Sequence, residues 1–144
     1  MILVDSSVLI HALGGRADRP KARLFEQVIA RDIPFAICPF VYQEVLQGVA
    51  DDLTYRRVRS YLETQECLWP PAGLAGYEQA ARLSWTLRRQ GVTVRSTSDA
   101  LIACTAIHHH APLLHDDRDF DVMAEHVPDL TILPATALDG FVGS

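Results

Sequence analysis

Ile2-Leu3-Val4-Asp5-Ser6-Ser7 is the stretch whose reading decides the fold. Three apolar residues in a row, closed by an acid, read as a short strand buried on both faces. Ser6 and Ser7 are helix-start residues, and the helix they open runs to about Leu13 before Gly14-Gly15 break the chain. The same pattern recurs downstream. Phe35-Ala36-Ile37-Cys38 (closed by Pro39), Cys67-Leu68-Trp69, Leu113-Leu114 and Leu130-Thr131-Ile132-Leu133 are further short apolar runs. Helical periodicity fills the intervals over about 19–31, 40–49, 52–64 and 76–89, and again from Ala100 to Ile107 behind the capping residues Ser96-Thr97-Ser98-Asp99. A short helix is expected beyond Pro134. Leu24, Phe25, Val28 and Ile29 are the inward set of the second helix, and Leu53, Val58, Tyr61 and Leu62 that of the fourth. Short apolar strands alternating with helices predict one α/β domain over residues 1–144, with a central, mainly parallel sheet of four or five strands.

Of 144 residues 49% are hydrophobic, enough for a real core in a chain of this length. The formal net charge of −5 argues against a protein that holds nucleic acid by a basic surface alone. It does not exclude a nuclease whose carboxylates gather around metal ions. Lys21 is the one lysine and the other basic residues are arginines, a bias that fits bidentate phosphate contacts or a GC-rich genome. Cys38, Cys67 and Cys104 are widely spaced, with no C-x-x-C pair to suggest a zinc or dithiol site. Asp5 interrupts the apolar start, so no signal peptide is expected, and the apolar runs fall far short of a membrane span. A soluble, reduced, cytoplasmic protein is expected.

In parallel α/β sheets ligands sit at the carboxyl ends of the strands. Asp5 stands at such an end, and Asp116, Asp117 and Asp119 follow Leu113-Leu114 directly. Glu44 falls within the apolar arc of its helix, where an unpaired charge is costly. Asp99 opens a helix apolar on nearly every side, sharing a face with Ile102, Ala103 and Ala106. Each position alone reads as a cap or a structural acid; several converging on one sheet edge read as a site. Clustered carboxylates repel, and a hard divalent cation relieves the repulsion. Oxygen-only donors favour Mg2+ or Mn2+ over zinc. Such ions orient phosphodiesters and neutralise the charge of an in-line displacement, so hydrolysis of a phosphodiester is the chemistry implied.

Four segments match a known family in order and spacing: Val4-Asp5-Ser6-Ser7-Val8-Leu9-Ile10; Glu44-Val45-Leu46-Gln47-Gly48; Asp99-Ala100-Leu101-Ile102-Ala103; and Leu113-Leu114-His115-Asp116-Asp117-Arg118-Asp119-Phe120. The chain resembles the PIN-domain ribonucleases, and within them the VapC toxins of type II toxin–antitoxin systems. The resemblance implies a PIN-like α/β/α sandwich with Asp5, Glu44, Asp99 and Asp117 as catalytic quartet around one or two Mg2+ or Mn2+ ions. Asp5, Asp99 and Asp117 would be metal ligands. Asp119 would be a further ligand or a structural partner, and Ser7 would orient a carboxylate or phosphate. Activated water would attack an RNA phosphorus, with Glu44 or Asp117 taking the proton. The resemblance also implies a homodimer and a VapB-type antitoxin. Where the family usually carries Thr or Ser, this chain has His115, which stands to supply a different hydrogen bond or a pH dependence.

Arg88, Arg89, Arg95 and Arg118 are the arginines nearest these motifs in sequence and the candidates for RNA backbone contact. Trp69 and Trp85 are expected in the core, His108-His109-His110 at a surface helix end, and Arg56, Arg57 and Arg59 on a solvated face. Three other readings compete. A receiver-like phosphoacceptor domain would need adjacent acids after the first strand and a lysine after the last; Ser6-Ser7 follow Asp5, and Lys21 is misplaced. A haloacid-dehalogenase-type phosphatase would need Asp-x-Asp at the first strand. A catalytically silent RNA- or partner-binding module would betray itself by a lost acid, and none of the four is lost.

Overall fold

The computed structural model describes residues 1–16 and 18–133. Its elements run β1 Ile2–Val4, α1 Ser6–Leu13, α2 Pro20–Ala30, β2 Phe35–Ile37, α3 Pro39–Gln47, α4 Asp52–Glu63, β3 Glu66–Cys67, α5 Leu74–Arg89, α6 Thr97–His108, β4 Leu113–Leu114 and α7 Arg118–His126. The four strands form one sheet in the order β3-β2-β1-β4, and every pairing is parallel. Leu3 is the hub of the register, opposite Ala36 on one side and Leu113 on the other. The chain steps outward from β1 through β2 to β3, then crosses back to place β4 on the far side of β1. Parallel crossovers are right-handed, so this reversal puts α5 and α6 on the face opposite the earlier helices and opens a crevice at the carboxyl ends of β1 and β4.

The core explains why such short strands persist. Ile2, Leu3, Val4, Leu113 and Leu114 are fully buried, and Phe25, Ile102, Phe120 and Met123 pack around them. Of α6, Asp99 through Thr105 and then Ala106 are all buried, so this helix is an internal rod rather than an amphipathic cover. Inside it the Thr105 hydroxyl donates to the Leu101 carbonyl at 2.7 Å, satisfying a group that burial cuts off from water.

Several expectations need correcting. The run Leu130–Leu133 contributes a single parallel bridge, Leu113 to Ile132, so the sheet has four strands among the described residues. The helix expected beyond Pro134 lies outside the described residues. Helix α7 is an addition to the expected elements; Phe120, Met123, Ala124 and Val127 carry its period behind the acids at its start. Leu53 and Ile29 are exposed: Leu53 lies more than about 100° around α4 from Val58 and Leu62, whereas Ile29 falls between Phe25 and Ala22 in angle but stands at the C-terminal end of α2. The tryptophans are also outside: Trp69 is 63% exposed and Trp85 43%, with the Arg82 and Arg89 guanidiniums 5.2 and 4.8 Å from the Trp85 ring centroid. The three histidines end α6 at the surface as expected, and Arg56 and Arg59 pair along the exposed face of α4 with Asp52 and Glu63. None of the helices among the described residues is long and apolar enough to cross a membrane.

Candidate active site

Two strand ends build the floor of the site by the same local device. Asp5 follows β1 and caps α1, its Oδ2 accepting the Ser7 backbone N–H at 3.1 Å and the Ser7 hydroxyl at 2.6 Å. Asp117, three residues after β4, caps α7 by accepting the Asp119 N–H at 2.9 Å. Caps of this kind satisfy backbone donors left open at a helix start. The two ends are stitched together twice: Asp5 N–H donates to the Leu114 carbonyl at 2.9 Å, and Asp116 N–H to the Ser7 hydroxyl oxygen at 2.9 Å. Ser7 therefore orients Asp5 and ties β1 to the β4 loop in one side chain.

Asp99 enters from the first turn of α6, 8% exposed. One carboxylate oxygen each from Asp99, Asp117 and Asp119 lie within 4.8 Å of one another, a spacing that fits a shared cation. Asp5 and Glu44 stand outside this tight triad but act on it: after burial, the Asp5 charge is the strongest influence on Asp99, followed by Asp117, Glu44 and Asp119. Together these push the Asp99 carboxyl up to about 7. Burial also lifts Asp5, against the Ser7 hydrogen bonds that favour its ionised form. Glu44 is raised first by burial and then by Asp5, while the Ser98 and Ser6 hydroxyls pull it back. Oδ1 of Asp5 and Oε1 of Glu44 are buried without a hydrogen-bond partner among the described residues. Buried acceptors without donors are expensive, and a cation is the partner that a set of acceptors lacks. The residues present fit a hard divalent ion held by oxygen. Cysteine chemistry does not compete, since burial pushes the Cys38 thiol up to about 12 and Cys104 to about 11.

The remaining candidates separate in space. Asp116 is turned out of the cluster by Arg19, whose Nε donates to its Oδ2 at 2.9 Å. Arg95 reaches the cluster, donating from Nη2 to Asp119 Oδ1 at 2.9 Å while remaining 76% exposed. Arg95, Arg118 and Asp119 share a groove of about 220 Å3 whose other wall is the segment 91–94. Arg88 and Arg89 stay on the exposed end of α5, with Arg89 over Trp85. His115 is buried beside Asp117, and burial lowers its pKa. Sequence reasoning missed Ser6 and Ser98, whose hydroxyls act on Glu44; both had been read only as helix-start residues. It also missed Asp121, which the His115 ring contacts and which no spacing rule singles out.

A parallel sheet with carboxylates gathered at its switch point defines a class, and the PIN domain family matches residues 2–126: the chain belongs to the PIN-domain family. Within that family it is similar to VapC ribonuclease Mb1587 of Mycobacterium bovis, 35% identical over 127 residues that cover 86% of this chain and 92% of that protein. The same figures hold for Ribonuclease VapC11 of Mycobacterium tuberculosis. Among solved structures, VapBC2 from Rickettsia felis bound to a DNA fragment from its promoter shares the fold, with a TM-score of 0.66, 21% identity, and coverage of 92% of this chain and 98% of that one.

Proposed function

We propose that the chain is a divalent-metal-dependent endoribonuclease, acting as the toxin of a type II toxin–antitoxin pair. The observation that carries the nuclease reading is the approach of Asp99, Asp117 and Asp119 to within 4.8 Å at the β1/β4 switch point. In this reading Asp5, Asp99, Asp117 and Asp119 hold one or two Mg2+ or Mn2+ ions. A bound ion of this kind supplies charge neutralisation at a phosphodiester and lowers the pKa of water.

The chain's own residues do the rest. Glu44 is the proton acceptor in preference to Asp117, because Asp117 Oδ1 is committed to the Asp119 N–H whereas Glu44 Oε1 has no hydrogen-bond partner among the described residues. Its raised pKa makes it a stronger base than an ordinary glutamate. Ser7 holds Asp5 in one rotamer. Arg95 and Arg118 line the groove beside Asp119 and take backbone phosphates of the RNA, while Arg88 and Arg89 serve a more distant stretch of the strand. The whole of residues 1–144 forms one PIN domain, working in the cytoplasm.

The partners follow from the same reading. A VapB-type antitoxin seats an apolar segment in the groove of about 300 Å3 between α1, α3 and α4, where Ile10, Leu13, Val45 and Val49 converge. Leu74, Tyr77 and Trp85 lie within one arc of α5, all exposed, and form the surface of a homodimer.

The test is cleavage of total RNA by the chain purified free of antitoxin, with Mg2+ or Mn2+ and with EDTA. Wild type is expected to cut only with metal, and Asp5→Asn and Asp99→Asn not at all. Cutting that survives chelation or either substitution overturns the metal-nuclease reading. Growth arrest on expression, relieved by the antitoxin, tests the toxin role separately.

A further inference from the structure

His115 is 2% exposed, a polar ring sunk beside an acidic cluster. Its Nδ1 accepts the backbone N–H of Asp117 at 3.0 Å. Its Nε2 lies 3.0 Å from Oδ1 of Asp121, and the ring packs against Phe120 with centroids 5.2 Å apart. These contacts dictate the tautomer. A backbone N–H has only a proton to give, so Nδ1 must present its lone pair, and the ring proton sits on Nε2, where it is donated to Asp121. Ring nitrogens on opposite sides thus link the backbone at Asp117 to a carboxylate one turn into α7. The resemblance places Thr or Ser here, and a hydroxyl can accept the N–H two residues on, as in an ST turn. His115 keeps that acceptor and adds a second anchor.

We propose that His115 is the positioning residue of the metal site: by bridging Asp117 to Asp121 it fixes the turn that carries Asp117 and Asp119 onto Asp99. The assignment rests on the reading of Asp99, Asp117 and Asp119 as metal ligands. It places His115 behind the ligand set rather than in it, since both of its ring nitrogens are already engaged. Groups that orient ligands in this way typically change metal affinity by about 10–100-fold when removed.

The experiment compares wild type with His115→Phe, His115→Asn and Asp121→Ala. Mn2+ binding is titrated by calorimetry and electron paramagnetic resonance, melting is followed in EDTA, and kcat and KM are measured separately on RNA. His115→Phe keeps ring volume against Phe120 and removes both polar contacts; it is expected to weaken Mn2+ by about 10–100-fold and lower kcat with KM little changed. His115→Asn keeps an acceptor for the Asp117 N–H and is expected to recover most of the affinity. Asp121 is 59% exposed, so its truncation leaves packing intact; it strands the buried Nε2–H, and is expected to lower the EDTA melting point by a few degrees and weaken Mn2+ severalfold. If wild type binds Mn2+ and both His115→Phe and Asp121→Ala bind it equally well, the positioning role is overturned, whatever happens to stability. A His115→Asn variant no better than His115→Phe overturns it too. Wild type that binds no Mn2+ overturns the ligand assignment itself, and with it the role of His115.

Discussion

Asp99→Asn should abolish activity yet make the metal-free protein more stable, and the gain should depend on pH. The Asp99 carboxyl is pushed up to about 7 by burial and by its acidic neighbours, against an ordinary value of 3.8 in the unfolded chain. A group whose folded pKa is raised favours the fold fully below the unfolded value. That contribution is lost as pH climbs from about 4 toward 7, because the native state then binds more protons than the unfolded one. At about 1.36 kcal/mol per pH unit, the distance from 3.8 to about 7 costs the folded state about 4 kcal/mol above pH 7. Asparagine removes the charge at similar volume. In EDTA at pH 8 the variant is expected to melt on the order of 10 °C higher, taking about 2–4 °C per kcal/mol for a chain of this size. At pH 4 the two proteins should melt alike. Saturating Mg2+ should narrow the difference, since a ligand at about 100 times its Kd stabilises by about 2.7 kcal/mol and the variant has lost a donor. Thermal scans at pH 4, 6 and 8, with EDTA or Mg2+, read all of this. A variant no more stable than wild type at pH 8 in EDTA, or equally stabilised at pH 4 and pH 8, would refute the claim that repulsion and burial strain this carboxylate.

Three other perturbations bear on the same frame. Ser7→Ala removes the donor to Asp5 and the acceptor for the Asp116 N–H together, and should cost about 1–3 kcal/mol in urea unfolding and most of the activity. Arg95→Ala should leave stability within about 1 kcal/mol, because its ion pair is largely in solvent, while KM for RNA rises severalfold in steady-state assays. Phe120→Ala empties a fully buried site at the base of α7 and should lower stability by about 3–5 kcal/mol by denaturant titration. Its metal affinity should fall as well, since the turn bearing Asp117 and Asp119 rests on that ring.

The strands were legible because buried parallel strands are continuous apolar runs, and Ile2–Val4, Phe35–Ile37 and Leu113–Leu114 appear where those runs stand. Helix ends were legible where a capping residue or glycine marks them, as at Ser96 before α6 and Gly48 after α3. Periodicity names a helix face without saying whether the chain supplies anything to cover it. That is why Trp85 was expected inside: its stripe on α5 is real, but no described element packs over it. The run Leu130–Leu133 has the apolar composition of a strand and makes a single bridge, Ile132 to Leu113.

What the sequence determined by itself was local: an acid at the end of each key strand, a charge set into the apolar face of α3, and an acid in the first turn of an otherwise apolar helix. Such placements follow from the rise of a strand and the period of a helix, which act over a few residues. Only the tertiary structure decided which acids meet. The order β3-β2-β1-β4 brings residues 5, 99 and 117 to one crevice from three separate parts of the chain. Neighbours in sequence were parted there, Asp116 going to Arg19 while Asp117 and Asp119 went to Asp99. Adjacent side chains leave the backbone in different directions, and which of them finds a cation or a carboxylate depends on what the rest of the fold packs beside it.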